Sequence, residues 1–150
     1  MEILKSYNEK YGLDNKVACF CGSFDPFHIG HKLLIDRFLP LFDKIIIAIG
    51  INEDKKGHFT IEERKEIIKK MFKNDDRIVV ESYNGLTVDF CKKMGAGYML
   101  RGMRDENDFK FEKAVDNYNK NVAPEIETIY MIATKDVENI SSTQIRKDMN

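Results

Sequence analysis

The stretch Lys44–Gly50 constrains the fold most, because it is apolar on both faces of any strand that it could form. It reads Ile-Ile-Ile-Ala-Ile between its two ends, without the alternation of polar and apolar residues that a half-exposed strand shows. A strand of this kind is covered on both sides and is typical of the centre of a parallel sheet. The stretch therefore predicts an α/β protein whose sheet is covered by helices.

The rest of the chain alternates between strand and helix patterns. Strands are predicted at Lys16–Cys21, Arg77–Glu81, Tyr98–Leu100 (running on into Arg101–Arg104) and Ile126–Ile132. Helices are predicted over residues 30–38, 60–72, 86–94 and 107–121, and a last helix is predicted to begin with the cap Ser141–Thr143. This alternation predicts a doubly wound five-stranded parallel sheet with helices on both faces.

The length of 150 residues predicts a single domain over residues 1–150. Apolar residues at helical spacing predict a short helix over residues 2–11, so we assign residues 1–15 to an N-terminal helical extension. The charged N-terminus lacks the apolar core of a signal peptide, and no apolar run reaches the length of a membrane span. We therefore expect no membrane partner.

The balance of acidic and basic residues indicates whether the protein binds nucleic acid. The chain has 24 Lys and Arg against 25 Asp and Glu, and its formal net charge is −1. A protein that coats nucleic acid carries an excess of basic residues, so we expect no nucleic-acid partner and only local basic character.

The three cysteines, Cys19, Cys21 and Cys91, leave one thiol unpaired in any disulfide scheme. Cys19 and Cys21 alternate on the first predicted strand and would face the same side, which is typical of small buried apolar residues. A metal site at Cys-x-Cys would need further ligands, so we assign no metal ligand. Reduced thiols favour a cytoplasmic location.

The run Gly22–His31 carries the main functional signal of the chain, because it joins the first predicted strand to the first predicted helix. A helix N-terminus offers backbone N–H groups and a partial positive charge to a phosphate. Gly22 is expected to adopt backbone angles denied to other residues, and Gly30 to let a flat ligand lie against the chain. His28 and His31 are three residues apart and would share a helix face. The combination suits a nucleoside triphosphate.

Other polar residues follow the remaining predicted strands. In a parallel sheet the ligand lies beyond the carboxyl ends of the strands, near the point where the strand order reverses. We therefore expect one cleft to gather Ser23, His28, His31, Lys55, Arg101, Arg104 and Ser141–Thr143.

These motifs together resemble a known family. The Gly-Ser-Phe-Asp-Pro-Phe-His-Ile-Gly-His run resembles the signature of the nucleotidylyltransferase superfamily. Four further segments are similar, in their order along the chain, to motifs of the bacterial phosphopantetheine adenylyltransferases: Gly85–Phe90, Arg101-Gly102-Met103-Arg104, the Asp-Phe-x-x-Glu that ends at Glu112, and Ile140–Thr143. The resemblance covers residues 16–147 and implies a Rossmann-like fold. It also implies a domain whose C-terminus is shorter than usual for the family.

The resemblance implies transfer of AMP from ATP to the phosphate of 4′-phosphopantetheine, which gives dephospho-coenzyme A and pyrophosphate. It implies that His31, Lys55 and Arg104 are catalytic. It assigns the acceptor substrate to Ser23, Lys55, Thr87 and Arg101. It assigns ATP to Ser23, Phe24, His28, His31, Gly102, Met103, Arg104, Glu112, Val137, Glu138, Asn139, Ile140, Ser141, Ser142 and Thr143.

Two further expectations concern the cofactor and the assembly. Asp and Glu residues are not clustered as a metal cage, so Mg²⁺ is expected to arrive on the ATP phosphates. The family resemblance implies a homo-oligomer, a hexamer.

Two alternatives stay open at this point. A nicotinate or nicotinamide mononucleotide adenylyltransferase also uses the histidine loop, together with an ending like Ile140–Arg146, but gives no reason for Arg101–Arg104 followed by Glu112. A non-catalytic nucleotide sensor on the same fold would be expected to lose a histidine, lysine or arginine from the site, and none is lost here. A cytidylyltransferase and a fragment of a class I aminoacyl-tRNA synthetase fit less well.

Overall fold

The computed structural model describes residues 14–149. The helix predicted over residues 2–11 lies outside this range, as does most of the predicted extension over residues 1–15. The first strand begins at Asp14, so the last two residues assigned to the extension belong to the sheet.

The described chain alternates strands and helices as the sequence predicts. The strands are β1 (Asp14–Gly22), β2 (Lys44–Gly50), β3 (Ile78–Tyr83), β4 (Ala96–Met103) and β5 (Glu127–Ile132). The helices are α1 (Ile29–Phe38), α2 (Ile61–Met71), α3 (Thr87–Lys93), α4 (Glu106–Val122) and α5 (Ser142–Asp148), and a short 3₁₀ turn covers Leu39–Leu41.

All of the strand pairs are parallel, and the order across the sheet is β3-β2-β1-β4-β5. The chain first moves outward from β1 through β2 to β3, and then returns to the other side of β1 for β4 and β5. The strand order therefore reverses between β1 and β4, and the carboxyl ends of these two strands flank the crevice where α/β sheets bind ligands. The doubly wound α/β prediction is confirmed.

The core lies on both faces of the sheet, because the side chains of the central strands alternate between two apolar clusters. On one face, Phe20 and the odd-numbered isoleucines of β2 pack with α1 and α2. On the other face, Cys19, Cys21 and Ile46 pack with α3 and with Ala123, at the end of α4. Ile45 to Ile49 are fully buried, as expected for a central strand covered on both sides.

Polar side chains fix where the helices begin. Thr60 and Glu63 form a reciprocal capping box at the start of α2, at 3.1 Å in each direction. Asp105 and Ser141 accept hydrogen bonds from backbone N–H groups of α4 and α5. Within residues 14–149, no helix combines the length and the apolar character needed to cross a membrane.

Candidate functional site

A cavity of about 370 Å³ opens between the carboxyl ends of β1 and β4. Its walls come from the loop after β1, the start of α1, the end of β4, the first turns of α4 and the segment before α5. It brings together twelve of the predicted site residues: Ser23, Phe24, His28, His31, Arg101, Gly102, Arg104, Glu112, Val137, Ile140, Ser141 and Ser142.

Several predicted site residues do not line this cavity. Thr87 lines a neighbouring cavity, whereas Lys55, Met103, Glu138, Asn139 and Thr143 line neither of the two. Lys55, which the sequence predicts to join the same cleft, lines neither cavity. Lys55 is exposed on the loop after β2, which lies one strand farther from the reversal point than β1 and β4. Its contact with the acceptor stays a prediction.

His28 and His31 form a stacked pair at the start of α1, with ring centroids 3.7 Å apart. Gly30 N–H donates to His28 Nδ1 at 3.1 Å, and His28 N–H donates to His31 Nδ1 at 3.1 Å. Because Nδ1 of His31 is an acceptor, a neutral His31 carries its proton on Nε2. The backbone thus fixes the tautomer, and His31 offers an Nε2–H donor to the cavity.

Burial keeps both imidazoles neutral. Desolvation, together with the nearby Arg104 guanidinium, lowers the pKa of His28 to about 4. Desolvation also lowers the pKa of His31 to about 3, helped by His28 and by the two arginines of the site. At neutral pH the pair therefore acts as hydrogen-bond donors without a formal charge.

Gly22 and Gly30 are needed because a side chain at either position would collide with a neighbouring ring, and not because their backbone angles are unusual. The expectation that Gly22 uses an angle denied to other residues is wrong: its φ is not positive, whereas Phe24 has a φ of 45°. A Cβ at Gly22 would lie 3.0 Å from the Phe24 ring, and a Cβ at Gly30 would lie 2.9 Å from the His28 imidazole. Gly30 therefore makes room for the histidine that caps α1.

Arg101, at the end of β4, is held from two sides. Its Nη1 donates to the Cys21 carbonyl oxygen at 2.9 Å, and its Nε and Nη2 donate to Glu112 Oε1 at 3.0 and 2.6 Å. Glu112 is only 4% exposed, so its carboxylate fixes the direction of the guanidinium. The sequence placed Glu112 among the ATP ligands, and the structure adds this contact with Arg101.

Arg104 lies on the more open side of the same cavity. Its Nε donates to Asp108 Oδ2 at 3.0 Å, and this hydrogen bond raises the pKa of Arg104. Both guanidinium groups of the site are therefore paired with carboxylates of α4. A phosphate would have to compete with these carboxylates or share the remaining N–H donors with them.

Asp25 is a structural residue of the motif that sequence reasoning missed. Its buried carboxylate accepts hydrogen bonds from the backbone N–H groups of His58 and Phe59, at 2.7 and 2.9 Å, and it lies 3.4 Å from Arg64 Nε. Burial raises its pKa, but the two backbone hydrogen bonds and Arg64 outweigh that effect, so the pKa is lowered. Asp25 thereby joins the histidine loop to the loop that carries Lys55.

A second cavity, of about 320 Å³, adjoins the first. Arg101, Glu112 and Phe111 line both cavities. The second cavity is otherwise mostly apolar, with Thr87, Asn119 and Tyr130 among its polar groups, and includes Leu86, Val88, Met99, Leu100, Val115 and Tyr118. The arrangement offers a polar cavity and an apolar cavity with one arginine between them.

Hard divalent cations prefer oxygen ligands. Among residues 14–149, the one group of three side chains close enough to hold an ion consists of cysteines, not of carboxylates.

Comparison with known proteins gives the family. The profile of the cytidylyltransferase-like family matches residues 19–148. The chain belongs to this family. The match includes the histidine loop, both arginines and the start of α5, so it spans every wall of the first cavity.

Similar proteins narrow the group. A phosphopantetheine adenylyltransferase of Flavobacterium psychrophilum is 49% identical over 129 residues, which are 86% of this chain and 85% of that protein. A phosphopantetheine adenylyltransferase of Leptospira biflexa is 44% identical over 131 residues, 87% of this chain and 82% of that protein. The chain is accordingly a nucleotidyltransferase, and the resemblance read from its motifs is confirmed.

Solved structures support the fold. A bifunctional NMN adenylyltransferase/ADP ribose pyrophosphatase from Francisella tularensis superposes with a TM-score of 0.66 at 23% identity, over 90% of this chain and 42% of that chain. A putative nicotinate-nucleotide adenylyltransferase from Vibrio parahaemolyticus gives a TM-score of 0.61 at 23% identity, over 89% of this chain and 86% of that chain. At this level of identity the likeness concerns the Rossmann-like fold.

Proposed function

We propose that this protein transfers AMP from ATP to 4′-phosphopantetheine, giving dephospho-coenzyme A and pyrophosphate. The observation that carries the proposal is the 49% identity, over 86% of the chain, to a protein named phosphopantetheine adenylyltransferase. The pairing of a polar cavity with an apolar one through Arg101 agrees with a reaction between a triphosphate and a long, partly apolar acceptor.

In this proposal ATP occupies the first cavity. The Nε2–H group of His31 donates to the triphosphate, and Ser23 and Phe24 contact ATP from the loop after β1. The segments Gly102–Arg104 and Val137–Thr143 and the side chain of Glu112 contribute the other ATP contacts. The support for these roles is the position of most of these residues around one cavity.

The acceptor lies in the second cavity in this proposal. Arg101, Ser23 and Lys55 bind the phosphate of 4′-phosphopantetheine, and Thr87 contacts the molecule from the start of α3. The apolar wall suits the pantetheine arm, because alkyl and amide groups of the arm can bury there with few unpaired polar atoms. Lys55 would reach the phosphate after a movement of its loop.

The reaction follows from charge and alignment. The acceptor phosphate is already an anion, so its oxygen can attack the α-phosphorus of ATP directly while pyrophosphate leaves on the opposite side. Alignment of two bound reactants can supply up to about 7–11 kcal/mol of barrier reduction. His31, Lys55 and Arg104 stabilise the charge that develops on the phosphates. Mg²⁺ enters as part of the ATP substrate and reduces the repulsion between the two polyanions.

The same proposal includes a homohexamer in the cytoplasm. Support for an assembly comes from apolar side chains that α4 leaves exposed outside both cavities, Phe109 at 54% and Val122 at 39% exposed. The buried free thiols agree with a reducing compartment.

The identity of the acceptor is tested by offering three acceptors in parallel. Purified protein with ATP and Mg²⁺ receives 4′-phosphopantetheine, nicotinate mononucleotide or nicotinamide mononucleotide, and pyrophosphate release is measured. We expect release with phosphopantetheine alone. Release with a mononucleotide alone would assign the chain to the pyridine nucleotide enzymes, and silence of the folded protein with all three would favour the nucleotide sensor.

The absence of a covalent intermediate is tested by stereochemistry. ATP that carries a chiral phosphorothioate at the α-position is the substrate, and the configuration of the product is determined. One direct in-line displacement inverts the configuration, which is the expected result. Retention would require two displacements and a covalent adenylyl-enzyme.

A further inference from the structure

The three cysteines lie together, although two helices (α1 and α2) and two strands (β2 and β3) separate Cys91 from Cys21 along the chain. Cys19 and Cys21 project from the same face of β1, and Cys91 projects from α3 onto that face. Their three sulfur atoms all lie within 4.8 Å of one another, and all three residues are buried. The trio is free of disulfide bonds.

The setting of the trio is apolar. Cys19 and Cys91 are 0% exposed and Cys21 is 7% exposed, within the cluster that contains Ile46, Ala48 and Val88. Three small apolar residues would fill the same space without polar atoms, so the packing itself does not require sulfur at all three positions. Three sulfurs at one point are what a thiophilic metal ion requires.

We propose that Cys19, Cys21 and Cys91 form a binding site for a thiophilic divalent cation, with Zn²⁺ as its cellular occupant. Each coordinating thiol loses its proton to solvent when the ion binds, so no oxidant or reductant is needed. Three thiolates and one Zn²⁺ leave a net charge of −1, whereas Cu⁺ would leave −2. The smaller buried charge favours the divalent ion.

The distances suit tetrahedral coordination. Zn–S bonds of about 2.3 Å at tetrahedral angles place the sulfurs about 3.8 Å apart, so separations of up to 4.8 Å need to shrink by about 1 Å at most. Rotation about the Cα–Cβ bond, the one side-chain torsion of cysteine that moves the sulfur, can supply this change.

The fourth position faces the second cavity. Cys21 and Tyr83 both line that cavity, and the Tyr83 hydroxyl is hydrogen-bonded to Thr87 Oγ1 at 2.8 Å. A water molecule in the cavity can complete the coordination, and the cavity gives an ion a path to the buried sulfurs. The trio is on the opposite face of the sheet from His31, so the site is separate from the proposed ATP site.

Metal titration of the untagged, fully reduced protein tests the proposal. Co²⁺ serves as the spectroscopic probe and Zn²⁺ as its competitor. We expect one equivalent of Co²⁺ to give the tetrahedral d–d bands and the near-ultraviolet thiolate charge-transfer band, and Zn²⁺ to displace it stoichiometrically. Loss of a residue that only hydrogen-bonds to a metal ligand weakens metal binding by about 10- to 100-fold. Cys91→Ala removes a ligand itself, so we expect it to weaken binding by at least about 100-fold.

A matched control removes packing without removing sulfur. Val79→Ala shortens a side chain that packs against the same cluster and should leave the metal stoichiometry unchanged. If Cys91→Ala does not fold, Cys19→Ala provides the same test from the strand. Absence of a thiolate band, or binding that survives both cysteine variants, would overturn the proposal. Loss of two thiols on air oxidation, without metal binding by the reduced protein, would identify a redox pair instead.

Discussion

The hydrogen bond from His28 N–H to His31 Nδ1 determines which proton the His31 imidazole can offer. It leaves the Nε2–H group of His31 as the donor toward the cavity, and the lowered pKa, about 3, keeps the ring neutral. In the proposed reaction His31 therefore acts by its position, as a preorganised donor, and not by proton transfer at neutral pH.

His31→Ala should lower turnover by about 10²–10³-fold, because one preorganised donor to the developing charge is lost. Steady-state kinetics with ATP and 4′-phosphopantetheine measures the effect, and a melting curve confirms that the variant is folded. His58→Ala is the matched control, since His58 is an exposed imidazole that lines neither cavity. Equal activity of both variants would remove His31 from the mechanism.

The Arg101–Glu112 pair gives a second test at this scale. Arg101→Ala should raise the KM for phosphopantetheine more than the KM for ATP, because Arg101, which lines both cavities, is proposed to bind the phosphate of the acceptor. The opposite order would exchange the two proposed subsites. Kinetics with each substrate varied in turn distinguishes the two outcomes.

Glu112→Gln should raise the KM for phosphopantetheine by about tenfold, because charge-assisted hydrogen bonds worth about 1.5–3 kcal/mol hold Arg101 in place. Glu106→Gln, an exposed change on the same helix, is the control. A rise in the KM for ATP alone would mean that Glu112 serves ATP without positioning Arg101 for the acceptor.

Sequence motifs predicted which residues surround the cavity better than they predicted the contacts between those residues. The histidine pair and Arg101 follow from short patterns on single elements. The bonds of Asp25 to His58 and Phe59 cross more than thirty residues, and no local pattern signals them. The aspartate between Phe24 and Pro26 indicates only that a carboxylate close to apolar residues needs partners, and not which residues supply them.

At the scale of elements, Asp25 joins two loops that serve different substrates in the proposed reaction. Asp25→Ala should lower the free energy of unfolding by about 3–5 kcal/mol, because Arg64 would lose its buried partner and two N–H groups would lose their acceptor. Asp54→Ala, on the same loop but exposed, should cost under about 0.5 kcal/mol. Urea unfolding measures both.

The same change should affect Lys55, which lies on the joined loop. If the loop positions Lys55 for the acceptor, Asp25→Ala should raise the KM for phosphopantetheine in protein that is still folded at the assay temperature. An unchanged KM would mean that the loop acts independently of the histidine motif.

The element order was predictable because each element carries its own periodicity. The bounds of β2 agree with the prediction at both ends, and those of the other described strands agree within three residues. The placement of Lys55 was not predictable in the same way. A loop after a strand lies at the expected edge of the sheet, but its distance from the cleft depends on the strand order, which periodicity does not encode.

At the scale of the whole molecule, the neutral histidines link stability to pH. His31 has a pKa of about 6.5 when unfolded and about 3 when folded, so the unfolded chain binds the proton more readily between these values. Stability is then complete above pH 6.5 and falls as the pH drops, with a slope of up to about 1.4 kcal/mol per pH unit from His31.

Urea unfolding between pH 7 and pH 4.5 checks this linkage without ligands. Carboxylates such as Asp25, whose pKa is also lowered, contribute mainly below this range. His31→Gln should reduce the slope of this dependence, because glutamine does not titrate, and the slope that remains comes from His28, whose pKa is lowered to about 4. A free energy of unfolding that is constant over this range in the unsubstituted protein would contradict a buried neutral His31.

In the proposed reaction the two cavities bring ATP and 4′-phosphopantetheine together for direct transfer of AMP. The most direct measurement follows ATP labelled with radioactive phosphorus at the α-position, incubated with the protein, Mg²⁺ and 4′-phosphopantetheine, with products separated by chromatography and identified by mass. We predict that the label moves into dephospho-coenzyme A in equal amounts with the pyrophosphate released. Label that stays in ATP, or that appears in free AMP, would contradict the account.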